Sequence, residues 1–202
     1  MDIASIALAL GSSLTAGLNL YITALALGFM HRYEFIVLPP GMEVLSHDWV
    51  LVVAGVLFLV EFVADKAPYV DNLWDSMHSF IRVPAGAILA VSSLGYSELP
   101  AHYLWIAALV GGFITFSAHG AKATTRLAVN TTPEPFSNWF LSLFEDGLSL
   151  GLLWLVSRYP EIAAIVVLFL LTGFLLVIYL FFHFFKKLFR RSPRSADRGA
   201  DG

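Results

Sequence analysis

Six stretches of the chain stay apolar for long enough to cross a hydrocarbon layer, which takes about 20 helical residues. They run over 3–30, 48–66, 79–96, 102–121, 136–157 and 160–185. The third is the weakest, because Arg82 and Pro84 interrupt its start. A re-entrant hairpin is the alternative there, and it is tolerated only where protein or water covers the backbone. The pattern predicts an all-α, polytopic membrane helical bundle of about six transmembrane helices. It forms one domain over 1–190, followed by a basic, disordered tail over 191–202.

Basic residues set the direction of the spans, since Lys and Arg flanks stay cytoplasmic. The last span runs into Lys186, Lys187, Arg190, Arg191, Arg194 and Arg198. That places the C-terminus inside, and six spans return the N-terminus to the same side. The loops with Lys66 and Arg82, and with Lys122 and Arg126, are then also inside, whereas Arg32 falls in an outer loop. The aromatic-then-basic end of the last span reads as an anchor against anionic membrane lipid. The chain is expected in a bacterial cytoplasmic (inner) membrane. The first apolar run is read as a retained helix, because the first charge is Asp2 and a secretory leader opens with a basic region.

Composition agrees. Of 202 residues, 58% are hydrophobic and only 13% charged, with a net charge of −3, and the mean hydropathy is +0.76. Soluble domains carry roughly 25% charged residues. The basic residues cluster only in a short tail, which argues against nucleic acid as a partner. The chain lacks cysteine, so thiol chemistry, disulfides and thiolate metal sites are excluded. It carries no HExxH, no glycine-rich phosphate loop and no Ser-His-Asp order. No cofactor is expected, and an enzyme is the less favoured class.

A repeat is suggested inside the chain. Trp49, Gly55 and Lys66 recur as Trp105, Gly111 and Lys122, at one constant offset. The candidate units cover 49–96 and 105–157. Both would run outside to inside, so the copies would be parallel, related by an axis along the membrane normal. Chance similarity among apolar helices is the competing explanation. Small residues form ridges at i, i+4 spacing: Ser5, Ala9, Ser13 and Gly17; Ala107, Gly111 and Thr115, continuing to His119; and Gly147 with Gly151. Such faces allow close helix packing in lipid, within the bundle or in a homo-oligomer. Ser12, Ser13, Thr15 and Asn19 around Gly17 make the middle of the first span polar enough to unwind locally.

The intramembrane charges carry the functional reading. A carboxylate facing lipid costs a few kcal/mol, so Glu61 and Asp146 are expected to face the bundle interior. Glu61 and Asp65 share a helix face. Asp71, Asp75, His78 and Arg82 form one helical stripe after Pro68. Asp75 with His78 could share a proton, but two ligands do not make a metal site. His119, Lys122 and Arg126 follow one face as donors suited to phosphate or carboxylate. Together Glu61, Asp65, Asp75, His78, Arg82, His119, Lys122, Arg126, Asp146 and Asn19 are the candidate site. They could form a closed ion-pair network or line a polar cavity open to the cytoplasm.

The strings "AGLNLY", "EFVADK-P-VDN-WD", "HG-KA-TR" and "N--PEP-SN", within residues 10–157, resemble a family of bacterial membrane proteins catalogued as domain of unknown function 4126. The resemblance implies a multi-pass inner-membrane protein and transfers no activity or catalytic residue. The residues themselves favour a small channel or transporter for an ion or small solute. The alternatives are a structural or assembly partner in the membrane, and a lipid-headgroup-binding protein or membrane enzyme.

Overall fold

A computed structural model describes residues 2–67, 70–95, 99–131 and 135–190. The tail over 191–202 and the side chain of Asp71 lie outside the described residues. Among those described there are seven α-helices, one short 3-10 turn and no strand. The α-helices are α1 (Ile3–Leu18), α2 (Leu20–Arg32), α3 (Asp48–Ala64), α4 (Val70–Ser93), α5 (Ala101–Val129), α6 (Pro135–Arg158) and α7 (Pro160–Arg190). The 3-10 turn, Glu43–Ser46, lies between α2 and α3.

The centre of the bundle is α1. From Ala7 to Leu18 every residue except Leu10 is buried. The helix is packed by α4, α5, α6 and α7, while α2 lies against α3, α6 and the 3-10 turn. Its small residues let neighbours approach on all sides. Its hydroxyls turn back onto their own helix, Ser13 Oγ donating to Ala9 O at 2.7 Å and Thr15 Oγ1 to Gly11 O at 3.0 Å. A central helix can therefore be polar without orphaned groups. Asp2 caps its start, accepting from Ser5 N at 2.8 Å, and that bond holds the Asp2 carboxyl below the usual carboxylate range.

The first span is two helices, divided at Asn19. This residue is extended, with φ −151° and ψ 105°, and it ends α1 and caps α2. Its Oδ1 accepts from Ile22 N at 3.0 Å, satisfying a donor that the break exposes. The unwinding expected from the polar run falls at this residue. The third span is a single continuous helix with Pro84 inside it, and it begins at Val70 rather than 79. No hairpin forms there.

Three segments, Ala101–Val129, Phe136–Arg158 and Pro160–Lys187, are long and apolar enough to cross a membrane. The α1 segment is apolar but shorter. The 17 residues of α3 and the charged first half of α4 keep those helices from qualifying alone. The lipid-like surface is clearest on α7, where Ile165, Phe169 and Phe182 are 68%, 76% and 62% exposed. A helix that is apolar and uncovered in this way belongs in hydrocarbon. At the opposite end of the bundle from the charges, Leu38 and Met42 fold back from the α2–α3 connection onto Ala7, Leu27, Leu153 and Ala163.

Two small-residue ridges pack as expected. Added methyl groups at Gly17 and Gly111 would meet α5 backbone and α4 side chains respectively. The third does not: Gly147 and Gly151 have open space where a Cβ would stand. Glycine permits close approach on α6, but nothing among the described residues approaches.

Candidate functional site

The end of α3, the start of α4, the end of α5 and the start of α6 bring charged side chains to one buried region beside the α1–α2 break. Glu61 and Arg82 have no exposed side-chain surface and meet at 2.6 Å, Oε1 to Nη2. Lys122 Nζ has three acceptors for its three hydrogens: Glu61 Oε1 at 3.2 Å, Asp65 Oδ2 at 3.0 Å and Leu18 O at 3.1 Å. Arg126 binds the Asp65 carbonyl at 2.6 Å, Asp65 Oδ2 at 3.3 Å and Glu145 Oε2 at 2.7 Å.

The three cations also close helix ends. Leu18 O, and Gly17 O with it, terminate α1, and Arg82 Nη1 lies 3.3 and 3.4 Å from Gly17 O and Leu18 O. Asp65 is the C-cap of α3. Unpaired carbonyls at a helix C-terminus carry partial negative charge, so each cation serves a carboxylate and a helix dipole together. That double role explains how α1 can stop in mid-bundle without stranding its last carbonyls.

His119 is fixed by Arg82. Arg82 Nη1 lies 3.0 Å from His119 Nδ1, and arginine can only donate, so Nδ1 holds a lone pair. The proton is then on Nε2 and is given to Ser79 Oγ at 2.7 Å, and Ser79 donates to Asp75 O at 3.0 Å. His119 is thus a neutral relay between α4 and α5, not the anion donor that its sequence position suggests.

His78 does not share a proton with Asp75. Its Nδ1 faces Trp74 O at 2.8 Å, so Nε2 accepts from Tyr21 OH, also at 2.8 Å, and the ring stacks on Trp74. It ties α4 to α2. Asp75 points instead at the cations, with Oδ1 3.3 Å from Arg82 Nη1 and 3.7 Å from Lys122 Nζ. Neither of its carboxylate oxygens has a hydrogen-bond partner among the described residues. Asp146 is separate from the cations and accepts from Asn19 Nδ2 at 2.9 Å. Lys66, half-buried, bonds Phe62 O and Ser142 Oγ at 2.9 and 3.3 Å.

The structure therefore brings Glu61, Asp65, Asp75, Arg82, His119, Lys122 and Arg126 into one network. His78, Asn19 and Asp146 flank it. The arrangement is tightly buried: Glu61, Asp65, Asp75 and Glu145, with the three cations, are each at most 7% exposed. A cleft of about 80 Å³ between α4 and α5 reaches Asp75 and His119. Among the described residues no three His, Asp or Glu side chains are set to hold a metal ion.

Five participants were not placed in the site from sequence: the side chains of Glu145, Tyr21 and Ser79 and the carbonyls of Gly17 and Leu18. Glu145 had a signal. It adjoins Asp146 inside an apolar span, and either acid would be costly facing lipid. Adjacent helical residues diverge by about 100°, which suits one acid to Arg126 and the next to Asn19.

A bundle of apolar helices around a broken central helix, with its ionisable residues turned inward, defines a polytopic helical membrane protein. Within that class the chain belongs to the family described as a domain of unknown function (DUF4126), which it matches over residues 6–180. No curated protein and no solved structure matches it.

Proposed function

We propose that this chain is a small transporter or channel for an ion or small solute, working at the break between α1 and α2. It would sit in a cytoplasmic membrane with both termini on the cytoplasmic side. One observation carries the reading: the most buried helix stops at Asn19, and its C-terminal carbonyls face Arg82 and Lys122. Discontinuous helices with their ends at a charged centre are how many carriers build a substrate or ion site. Stability alone gives a weak reason for such a cluster. Replacing a buried ion-pair group by packed apolar residues is often neutral or stabilising by about 1–4 kcal/mol. The closed network is then one state of a carrier, and opening toward the charged end exposes the polar centre.

Reconstitution into liposomes tests this. Flux of an ion and small-solute panel is compared between the parent and Glu61→Gln or Asp146→Asn, with folding checked by size-exclusion chromatography. A transported species is expected whose flux falls about tenfold or more in the variants, the effect of about 1.4 kcal/mol. No flux above empty liposomes across the panel, or flux unaltered by both substitutions, overturns the proposal.

The pairing of all three Lys122 hydrogens supports a second reading, in which the network only fixes helix register in an assembly partner. A stoichiometric protein partner after mild solubilisation, together with no flux, would favour it.

A further inference from the structure

We propose that Asp75 binds one monovalent cation, a proton or an alkali-metal ion, which reaches it through the cleft between α4 and α5. This rests on reading the ion-pair cluster as a working site, and it specifies the charge class of the ion and the residue that takes it.

The first ground is charge. Four buried carboxylates, Glu61, Asp65, Asp75 and Glu145, face three cations, Arg82, Lys122 and Arg126. Asp146 and Lys66 at the margin add one charge of each sign. Among the described residues the cluster therefore carries one carboxylate in excess. An uncompensated charge in a low-dielectric interior is costly and is resolved by taking up a counter-charge.

The second ground is that the excess has an address. Glu61 and Asp65 each receive hydrogen bonds from two cationic side chains, and Glu145 receives one from Arg126. Asp75 receives none on either oxygen, although it is only 2% exposed. Arg82 on its own helix and Lys122 on α5 attract it from 3.3 and 3.7 Å without bonding it. His119 beside it is neutral by the argument above. Arg126 on α5 also acts on it, and Glu61 and Asp65 on α3 and Glu145 on α6 compete with it for Lys122.

The third ground is access. Asp75 borders the α4–α5 cleft, with Ser76, Ser79 and His119. Its volume of about 80 Å³ is room for a few waters, since one needs roughly 10–15 Å³ by this measure. Ser76 Oγ and Ser79 Oγ spend their hydrogens on Asn72 O and Asp75 O, and Ser79 Oγ also accepts from His119, which leaves the lone pairs of Ser76 and one of Ser79 for a cation. One carboxylate with neutral hydroxyls and water suits a monovalent ion. Calcium would require about 6–8 oxygens, usually from several carboxylates.

The test uses the purified full-length protein in detergent. Thermal unfolding is followed in N-methylglucamine buffer at constant ionic strength, across a pH series and then with added sodium or potassium chloride. The parent is expected to melt higher either as alkali ion is added at fixed pH, which identifies the metal ion, or only as pH falls, which identifies the proton. Asp75→Asn is expected to lose that dependence and to match or exceed the parent at high pH without alkali ions, because the excess charge is gone. A residue that served only as an ion-pair partner would destabilise the protein under every condition when neutralised. Carbodiimide labelling of the parent, mapped by mass spectrometry, gives a readout that does not depend on the variant folding. Modification at Asp75 that is suppressed by alkali ion or by high pH is expected. A parent indifferent to all three cations, a variant that keeps the dependence, or labelling confined to other carboxyls overturns the inference. The liposome fluxes decide the transport reading separately, since they can persist when this dependence is absent.

Discussion

Asn19 and Asp146 hold the break in the central helix between them. Asn19 Nδ2 donates to Asp146 Oδ1 at 2.9 Å, while Asn19 Oδ1 accepts from Ile22 N at 3.0 Å. The amide orientation is thereby forced from both ends: the cap requires an oxygen toward α2, and the carboxylate requires a donor toward α6. Both residues are buried, at 1% and 8% exposure.

The pair predicts an asymmetric response. Asn19→Ala loses a cap and should cost about 0.5–2 kcal/mol. Asn19→Asp keeps the cap but sets two carboxylates against each other, and it should cost more at neutral pH. Protonating one of them relieves the repulsion, so the folded variant binds one proton more than the unfolded chain. Its deficit should then shrink as pH falls. Asn19→Asp with Asp146→Asn restores a donor opposite an acceptor and should recover most of the loss. Thermal melts of the four proteins across pH check this, and an Asn19→Asp deficit that is constant with pH would contradict it.

Arg82 gives the largest expected single effect. Its guanidinium joins Glu61, His119 and the end of α1 with no exposed surface. Arg82→Met leaves Glu61 with Lys122 alone and should destabilise by about 3–5 kcal/mol, the usual result of breaking one side of a buried pair. Arg82→Met with Glu61→Leu should be less damaging than Arg82→Met alone, because one acid and one cation leave together and the charge balance of the cluster is unchanged. The exposed pair Arg32–Asp48 is the control. Asp48→Asn should change stability by no more than about 1 kcal/mol. Chemical denaturation in mixed micelles measures all four, and equal losses at Arg82 and Asp48 would refute the contrast.

Much of the outline was legible because lipid imposes a simple code. Runs of apolar residues marked the helices, and the cost of charge in hydrocarbon turned Glu61 and Asp146 inward before any packing was known. The break at Asn19 showed through the polar run around Gly17. Hydropathy alone starts the third span at 79, but the spacing of Asp75, His78 and Arg82 already put the segment after Pro68 on a helix, and α4 runs from Val70. Partner choice was not legible. Whether Asp75 meets His78 or Lys122 depends on the rotation of α4 against α5, and spacing along one chain does not contain that angle. His119 could not be read as an acceptor until Arg82 was seen against its Nδ1.

Glycine separates what sequence permits from what structure demands, and it supplies the last prediction. At Gly17 a Cβ would stand 2.5 Å from the Thr115 carbonyl oxygen and 2.7 Å from the Ala118 methyl. Backbone blocks the first contact, so no side-chain rotation relieves it. At Gly86 the obstacle is the Thr115 side chain, whose hydroxyl is held by Ser13 O and Gly111 O at 2.7 and 2.8 Å. Gly147 and Gly151 meet nothing within 4 Å among the described residues. Overpacking a tight interior costs typically about 1–3 kcal/mol, whereas replacing an unconstrained helical glycine by alanine gains roughly 0.5–1 kcal/mol. Gly17→Ala should therefore lose stability with no single-site remedy. Gly86→Ala should lose stability that Thr115→Gly partly returns in the double variant, since the added methyl fills the space the threonine leaves. Gly147→Ala and Gly151→Ala should melt at or above the parent. Thermal melts of these variants decide the matter: a loss at Gly147 matching that at Gly17 would mean that α6 has a tight neighbour, such as a second copy of the chain, against the face left open here.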